Sequence, residues 1–321
     1  MPPRNNNHGQ PPAIVNSILR AIGNTPVVKL ENVVAPKSAD VLVKLEYYNP
    51  TGSYKDRMAL AMIEGAEARG DLKPGMEVVE YTGGSTGSSL ALVCAVKGYH
   101  FRPISSDGFA REKLDTMRAF GADLTVMESD GGKLTPDLFQ RMRAEAEARA
   151  KDENVFYTSQ FHNEDAIKGY MNIGRELAAQ AGGQIDVYCG AVGTAGMLMG
   201  VSRAFKEAGC AARIVALEPA SSPVLTQGHG GAHRVEGISA GFVPPHLDSK
   251  LFDEARAINE AEARVMARRL AKEEGIFTGT SSGLNVAAAV KLASELGPGK
   301  TVATVAVDTG LKYLAGDLFS G

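Results

Sequence analysis

Four glycine-rich segments and one lysine hold the chemistry that can be read in this chain. The segments are Asn49-Pro50-Thr51-Gly52-Ser53, Thr82-Gly83-Gly84-Ser85-Thr86-Gly87, Gly190-Ala191-Val192-Gly193-Thr194-Ala195-Gly196 and Gly279-Thr280-Ser281-Ser282-Gly283. Each reads as a loop between a strand-like run and a helical one. In an open α/β sheet, ligands bind beyond the carboxyl ends of the strands. A loop there aims free backbone N–H groups and the positive end of a helix outward, which suits anions. Glycine lets the backbone come close, and Ser or Thr adds a hydroxyl donor. Any one such segment is an ordinary turn as often as not. Four in one chain, three with Ser or Thr among the glycines, point to an anionic ligand held at several places.

Lys55 follows the first of these loops. Most lysines are solvated surface charges. This one stands between a Gly/Ser turn and Met58-Ala59-Leu60-Ala61-Met62, a stretch that reads as a buried helix. Burial disfavours the ammonium, lowers its pKa and leaves an amine fit to act as nucleophile or Schiff-base partner. Asp56 has a plainer explanation, an acid in the first turn of a helix. The 190–196 loop admits a rival reading. It follows the strand-like run 185–189, opens an apolar helix and leads to Glu218, an acid roughly 20 residues on, as a dinucleotide-binding fold requires. Its spacing is G-x-x-G-x-x-G rather than G-x-G-x-x-G, and Pro219 follows the acid directly. A nicotinamide dinucleotide therefore stands second.

Such groups need a rigid frame. Apolar, β-branched runs at 41–45, 77–81, 185–189, 213–217 and 301–307 predict strands. Helical periodicity covers 58–69 and 90–97, stopped by Gly70 and Gly98, then 111–120, 261–274 and 285–295. Continuous apolar strands alternating with helices predict parallel sheets covered on both faces. The charged, Ala-rich stretch 143–151 reads as a solvated helix face.

Composition closes off other classes. In 321 residues, 34 Lys and Arg face 37 Asp and Glu for a net charge of −3, which argues against a nucleic-acid or polybasic membrane surface. No apolar run reaches the roughly 18 residues that span a bilayer. Residues 1–12 lack the core of a signal peptide and read as a flexible tail. Cys94, Cys189 and Cys210 have no paired spacing and predict free thiols in a reducing, cytoplasmic setting. His162, His229, His233 and His246 show no metal-ligand spacing, so no metal is expected.

Asn49 to Arg57 resembles the lysine motif of the cysteine synthase and cystathionine β-synthase family, the β-family (fold type II) of pyridoxal-phosphate enzymes. Gly23-Asn24-Thr25-Pro26-Val27-Val28-Lys29-Leu30 is similar to that family's N-terminal segment, and Gly237-Ile238-Ser239-Ala240-Gly241-Phe242-Val243-Pro244 to its substrate-side loop. The 279–283 segment is similar to its cofactor-nitrogen loop, and Asp308-Thr309-Gly310-Leu311-Lys312-Tyr313-Leu314 to its closing segment. The likeness runs from about residue 22 to residue 319.

The resemblance implies two three-layer α/β domains with twisted, mostly parallel sheets, like the tryptophan synthase β subunit. A smaller mobile domain would span 53–160; a larger one would combine 13–52 with 161–321. The cofactor would be pyridoxal 5′-phosphate. Lys55 would hold it as an internal aldimine and later move the substrate's α-proton. Gly193, Thr194, Ala195 and Gly196 would cradle the phosphate, and Ser281 would bond the pyridine nitrogen. Thr82, Gly83, Ser85 and Thr86, with Gln160 and Gly237, would bind the amino-acid substrate, Ser85 also lying beside the cofactor ring. A neutral hydroxyl at the ring nitrogen suits β-replacement and elimination over transamination.

The expected activity is that of a transferase or lyase of cysteine biosynthesis: replacement on O-acetylserine or O-phosphoserine by sulfide or another nucleophile, through an aminoacrylate. Alternatives are net β-elimination as in a desulfhydrase or dehydratase, the nicotinamide-dependent dehydrogenase, and a non-catalytic peptide-binding protein on this fold. A homodimer is implied; nucleic acid and membrane are not. His8 has no neighbouring Cys, so the heme segment of some relatives is not expected. The chain departs from the family pattern at Ser85 (usually Asn), Gly83 (usually Ser), Met197 (usually Thr) and Ala195 (usually Gly). One lost neutral hydrogen bond costs about 1 kcal/mol, tolerable among several phosphate contacts. The changes at Ser85 and Gly83 bear on the substrate.

Overall fold

Strands and helices alternate along the chain. The computed structural model describes residues 14–133 and 135–320; the tail expected over 1–12, with His8, lies outside them. In order come β1 (Val27–Lys29), β2 (Asp40–Leu45), α1 (Lys55–Arg69), β3 (Glu77–Tyr81), α2 (Ser85–Lys97), β4 (His100–Ser106) and α3 (Arg111–Ala119). Then follow β5 (Thr125–Met127), α4 (Pro136–Arg149), β6 (Val155–Tyr157), α5 (Glu164–Gln180), β7 (Val187–Ala191), α6 (Gly196–Glu207) and β8 (Arg213–Pro219). The last are α7 (Val224–Gln227), β9 (Glu254–Ile258), α8 (Glu260–Arg269), α9 (Thr280–Leu296) and β10 (Thr301–Ala306).

Two sheets result, one six-stranded in the order β1-β2-β10-β7-β8-β9 and one four-stranded in the order β5-β4-β3-β6. Every pairing is parallel except β1 with β2. Strand β7 is buried along its whole length, as a parallel strand with helices on both faces must be. The chain leaves the larger sheet after β2, builds the smaller one, and returns through α5 to β7. A single apolar cluster, including Met58, Val78, Leu90, Ile167, Leu198 and Val305, joins helices and strands of both sheets. Helix α1 lies within it, so the backbone that carries Lys55 is fixed by core packing.

The expected strands are found within a residue or two at either end. The helices begin earlier than periodicity predicts: α2 starts at Ser85 and α9 at Thr280, so the Gly/Ser/Thr segments are themselves first turns. The 279–283 segment follows no strand. It comes after a π-turn, Leu270–Glu274, that prolongs α8, and Thr278 pairs with Thr309 in an isolated bridge. Strand β4 escapes an apolar-run criterion because His100, Arg102 and Pro103 interrupt it. Pro103 is tolerated because β5 covers only Ile104 to Ser106.

Candidate active site

The lysine is placed by a loop stitched to the end of β10. Gly52 N–H donates to Asn49 O at 2.7 Å, and Tyr54 N–H to Val307 O at 3.0 Å. Gly52 has φ +71, and a Cβ there would fall 2.7 Å from Thr309 Cγ2, so only glycine fits. Lys55 is the first residue of α1, 8% exposed, with Nζ 5.1 Å from the Tyr54 ring centre. Burial pulls its pKa down to about 8, against the opposing pull of the Glu80 and Asp308 carboxylates. The free amine is thus available in mildly alkaline water, as a Schiff-base lysine needs.

Asp56 does more than complement a helix dipole. Its carboxylate accepts from Thr51 N–H at 2.8 Å and from the Thr51 hydroxyl at 2.5 Å, fastening the loop to the helix. Behind it, Arg57 pairs with Glu46 at 2.7 Å and Glu176 at 2.6 Å, while Lys44 pairs with Glu176 at 2.8 Å. Thr25 donates to Glu46 at 2.7 Å, which gives the 23–30 segment its place: it buttresses the arginine two residues after the lysine.

The 193–196 turn has the features of an anion cradle. Among the described residues, no backbone acceptor takes the N–H groups of Gly193, Thr194 or Ala195. A Cβ on Gly193 would fall 2.5 Å from Gly237 O, so this turn and the Gly237 loop touch, and glycine is required. Ala195 keeps the left-handed conformation of a glycine, with φ +66. Met197 does not face the cradle with a donor; its sulfur turns inward and accepts from Tyr188 OH at 2.8 Å. The turn connects to the lysine through aromatic packing. Gly196 lies against Tyr170, whose ring centre is 5.2 Å from that of Tyr54.

The 82–86 turn opens α2 at the end of β3. Gly84 N–H donates to Thr82 Oγ1 at 3.1 Å, and Thr86 Oγ1 to Gln160 Oε1 at 2.9 Å. Gln160 Nε2–H donates to Tyr81 O at 3.3 Å, and its N–H to Glu80 Oε2 at 3.0 Å. Thr86 and Gln160 are thus hydrogen-bonded to each other, while Thr82 bonds within its own turn. Ser85 is approached by Lys312 Nζ at 3.5 Å. Ser281 lies in the first turn of α9 and is buried. Its neighbour Ser282 is the one tied into the frame, accepting from Val307 N–H at 2.8 Å. The first turns of α1 and α9 therefore meet at one strand end, that of β10.

The dinucleotide reading fails on Glu218. Its carboxylate is buried and accepts from Leu225 N–H, Thr226 N–H and Thr226 Oγ1 at 2.6, 2.9 and 2.7 Å, which caps α7 and leaves no role for a ribose. Other groups were not legible. Glu80 Oε1 and Asp308 Oδ1 are buried with no hydrogen-bond partner among the described residues. Burial pushes the Glu80 carboxyl up to about 7. An acid inside the run Glu77-Val78-Val79-Glu80-Tyr81 is the signal that could have found it. Lys113 and Glu236 form an ion pair across 123 residues, for which the sequence holds no signal.

A buried, weakly basic lysine, an open amide cradle and a hydroxyl-rich helix start fit a phosphorylated aldehyde cofactor. The pattern of the pyridoxal-phosphate dependent enzyme family matches residues 18–308. The chain belongs to that family. Cysteine synthase of Staphylococcus aureus is 43% identical over 308 residues, covering 95% of this chain and 97% of that one. O-ureido-L-serine synthase of Streptomyces lavendulae is 38% identical over 312 residues, covering 96% and 94%. The crystal structure of a cysteine synthase from Entamoeba histolytica superposes with a TM-score of 0.89 at 34% identity, covering 96% of this chain and 92% of that one. The paired, mostly parallel sheets of the enzyme are the fold type II architecture of these proteins. Among the described residues no helix is long and apolar enough to cross a membrane.

Proposed function

We propose that the enzyme catalyses β-replacement on an O-activated serine, exchanging the oxygen substituent for sulfide or another nucleophile. The observation that carries this reading is Lys55: a buried amine with its pKa near 8, set between an anion cradle and a hydroxyl-lined turn. Pyridoxal 5′-phosphate, bound there, supplies an electron sink for negative charge developing at the substrate's α-carbon. The N–H groups of Gly193, Thr194, Ala195 and Gly196 would hold its phosphate, Ser85 would lie beside its ring, and Ser281 would meet the ring nitrogen with a neutral hydroxyl.

Lys55 takes the α-proton at Nζ, a task its lowered basicity suits because the amine returns to the neutral form in mildly alkaline water. Thr82, Gly83, Ser85 and Thr86 receive the substrate carboxylate at the start of α2, where backbone donors and the helix dipole favour an anion. Gln160 fixes that turn from behind through Thr86 and Tyr81. Gly237 closes the far side against Gly193. On this reading 53–160 make up the smaller, mobile unit and the remaining described residues the larger. The enzyme works in the cytoplasm as a homodimer, a reading supported by three buried, unbridged cysteines and by exposed Leu311 and Leu314.

Holoenzyme incubated with O-acetyl-L-serine, with and without sulfide, tests the reading. Cysteine formed only with sulfide supports it; pyruvate and ammonia formed regardless of sulfide would establish elimination instead. Borohydride reduction followed by peptide mass spectrometry must place the phosphopyridoxyl group on Lys55, and its absence there refutes the site.

A further inference from the structure

We propose that Lys113 and Lys312 form a cationic subsite that takes an anionic group on the substrate's β-substituent, so that the preferred substrate is a phosphate monoester of serine. The inference rests on the β-replacement reading and names the leaving group that reading left open.

The two lysines come from opposite sides of the site and converge on Gly84 and Ser85. Lys113 belongs to α3 and is 5% exposed. Its stem crosses the turn at Gly84, where a Cβ would fall 2.4 Å from Lys113 Cδ, so the glycine makes room for the lysine. Its ammonium lies 5.1 Å from the Tyr313 ring centre and pairs with Glu236. Lys312 comes from the closing segment and places Nζ 3.5 Å from Ser85 Oγ.

Among the described residues Lys113 has one ion-pair partner, Glu236, and Lys312 has none. Burial pulls Lys312 down further than Asp308 and Asp56 pull it up, and Lys113 adds to the fall. Two ammonium groups that feel one another are stabilised together by one anion placed between them. The buried Asp308 carboxylate attracts both lysines from a distance, but its Oδ2 accepts from Tyr313 OH at 2.7 Å and it hydrogen-bonds neither ammonium. Glu236 is different. Its side chain is 45% exposed and precedes Gly237, which has φ +82 and no neighbour within 4 Å of a Cβ. Its own carboxylate is easily re-solvated, but leaving the buried Lys113 ammonium alone is costly, so it swings out only when another anion takes its place. A phosphate then replaces the Glu236 carboxylate on Lys113 and reaches Lys312 with a second oxygen. The loss of a buried charge partner is compensated, and a neutral ester gains nothing comparable.

The test compares O-phospho-L-serine with O-acetyl-L-serine, each with sulfide, on the holoenzyme. The wild type is expected to favour the phosphate ester in kcat/KM by about tenfold or more. Lys113→Met and Lys312→Met should each lower the ratio of the two kcat/KM values by about tenfold, and Lys→Arg at either position should restore most of it. Inorganic phosphate, used as a competitive probe, should bind more tightly to Glu236→Gln, because the resident carboxylate is gone. A role for Lys113–Glu236 as a mere clasp predicts the opposite, loosening and weaker binding. If Lys113→Met fails to fold, Lys312→Met and Glu236→Gln decide alone. A wild type that converts O-acetyl-L-serine at least as well and is not inhibited by phosphate overturns the subsite but not the β-replacement reading. A wild type that converts neither ester overturns the latter.

Discussion

Restoring the serine that cysteine synthases usually carry at position 83 should damage this enzyme. A Cβ on Gly83 would fall 2.3 Å from Phe109 Cε1 and 2.7 Å from Cδ1 and Cζ, where 3.4–4 Å is ordinary contact. The ring would have to retreat by about 1 Å, on the scale at which overpacking costs about 1–3 kcal/mol. Its retreat is opposed by Phe139, whose ring meets it edge-on with centroids 6.0 Å apart. If the turn moves instead, the whole cost falls on the donors that receive the substrate, and kcat/KM for O-acetyl-L-serine drops by about five- to a hundredfold. Phe109→Ala opens the space. The double variant Gly83→Ser/Phe109→Ala should therefore recover most of the activity, with a coupling energy of about 1–2 kcal/mol in a double-mutant cycle. Steady-state kinetics on the four proteins, with thermal melts to monitor folding, reads this out. Gly83→Ser with wild-type kinetics and melting temperature would refute the reasoning; so would a double variant as impaired as the sum of its singles.

Three further outcomes follow from the buried charges. In the cofactor-free protein, the rate at which Lys55 reacts with an acylating reagent should rise with pH through about 8, because the neutral amine is the reactive form and burial brings it forward; an inflection above 10 would contradict the burial. Glu80→Gln should stabilise the fold: the native carboxyl titrates near 7 and the unfolded one near 4.5, so the wild type loses stability as pH rises between those values, and the variant does not. Its advantage should grow across that window and level off above it at no more than about 3 kcal/mol, measured by urea unfolding at several pH values. Arg57→Met leaves the buried Glu46 without its cation and Glu176 with Lys44 alone, at a cost of about 3–5 kcal/mol in chemical denaturation. A loss below about 1 kcal/mol would mean that the network is solvated.

The frame was legible wherever a single physical preference dominated. Strand β3 was read to the residue because β-branched residues fill its middle, and Gly70 and Gly98 end their helices in left-handed conformations as expected. The starts of α2 and α9 were not legible, because Gly, Ser and Thr are loop formers by composition yet here supply first turns. Lys55 was readable from what precedes and follows it. The surroundings that tune it were not: Glu80 and Asp308 approach from other strand ends, and nothing local to position 55 encodes them. The same holds for Lys113 and Glu236, which only the juxtaposition of the two sheets brings into contact. Glu218 shows the reverse error, an acid at a suggestive spacing whose lone pairs are already occupied.

The alanine at the head of α6 sets two small effects against each other. Its left-handed backbone costs an L-residue about 1 kcal/mol or more relative to glycine. Its methyl group is 3% exposed and packs in the main apolar cluster, which returns about 0.8 kcal/mol. Exchange between glycine and alanine at position 195 is therefore close to neutral. Descendants of this chain are free to drift between the two letters there, and a strict glycine pattern searched across genomes will pass over proteins whose phosphate turn is intact.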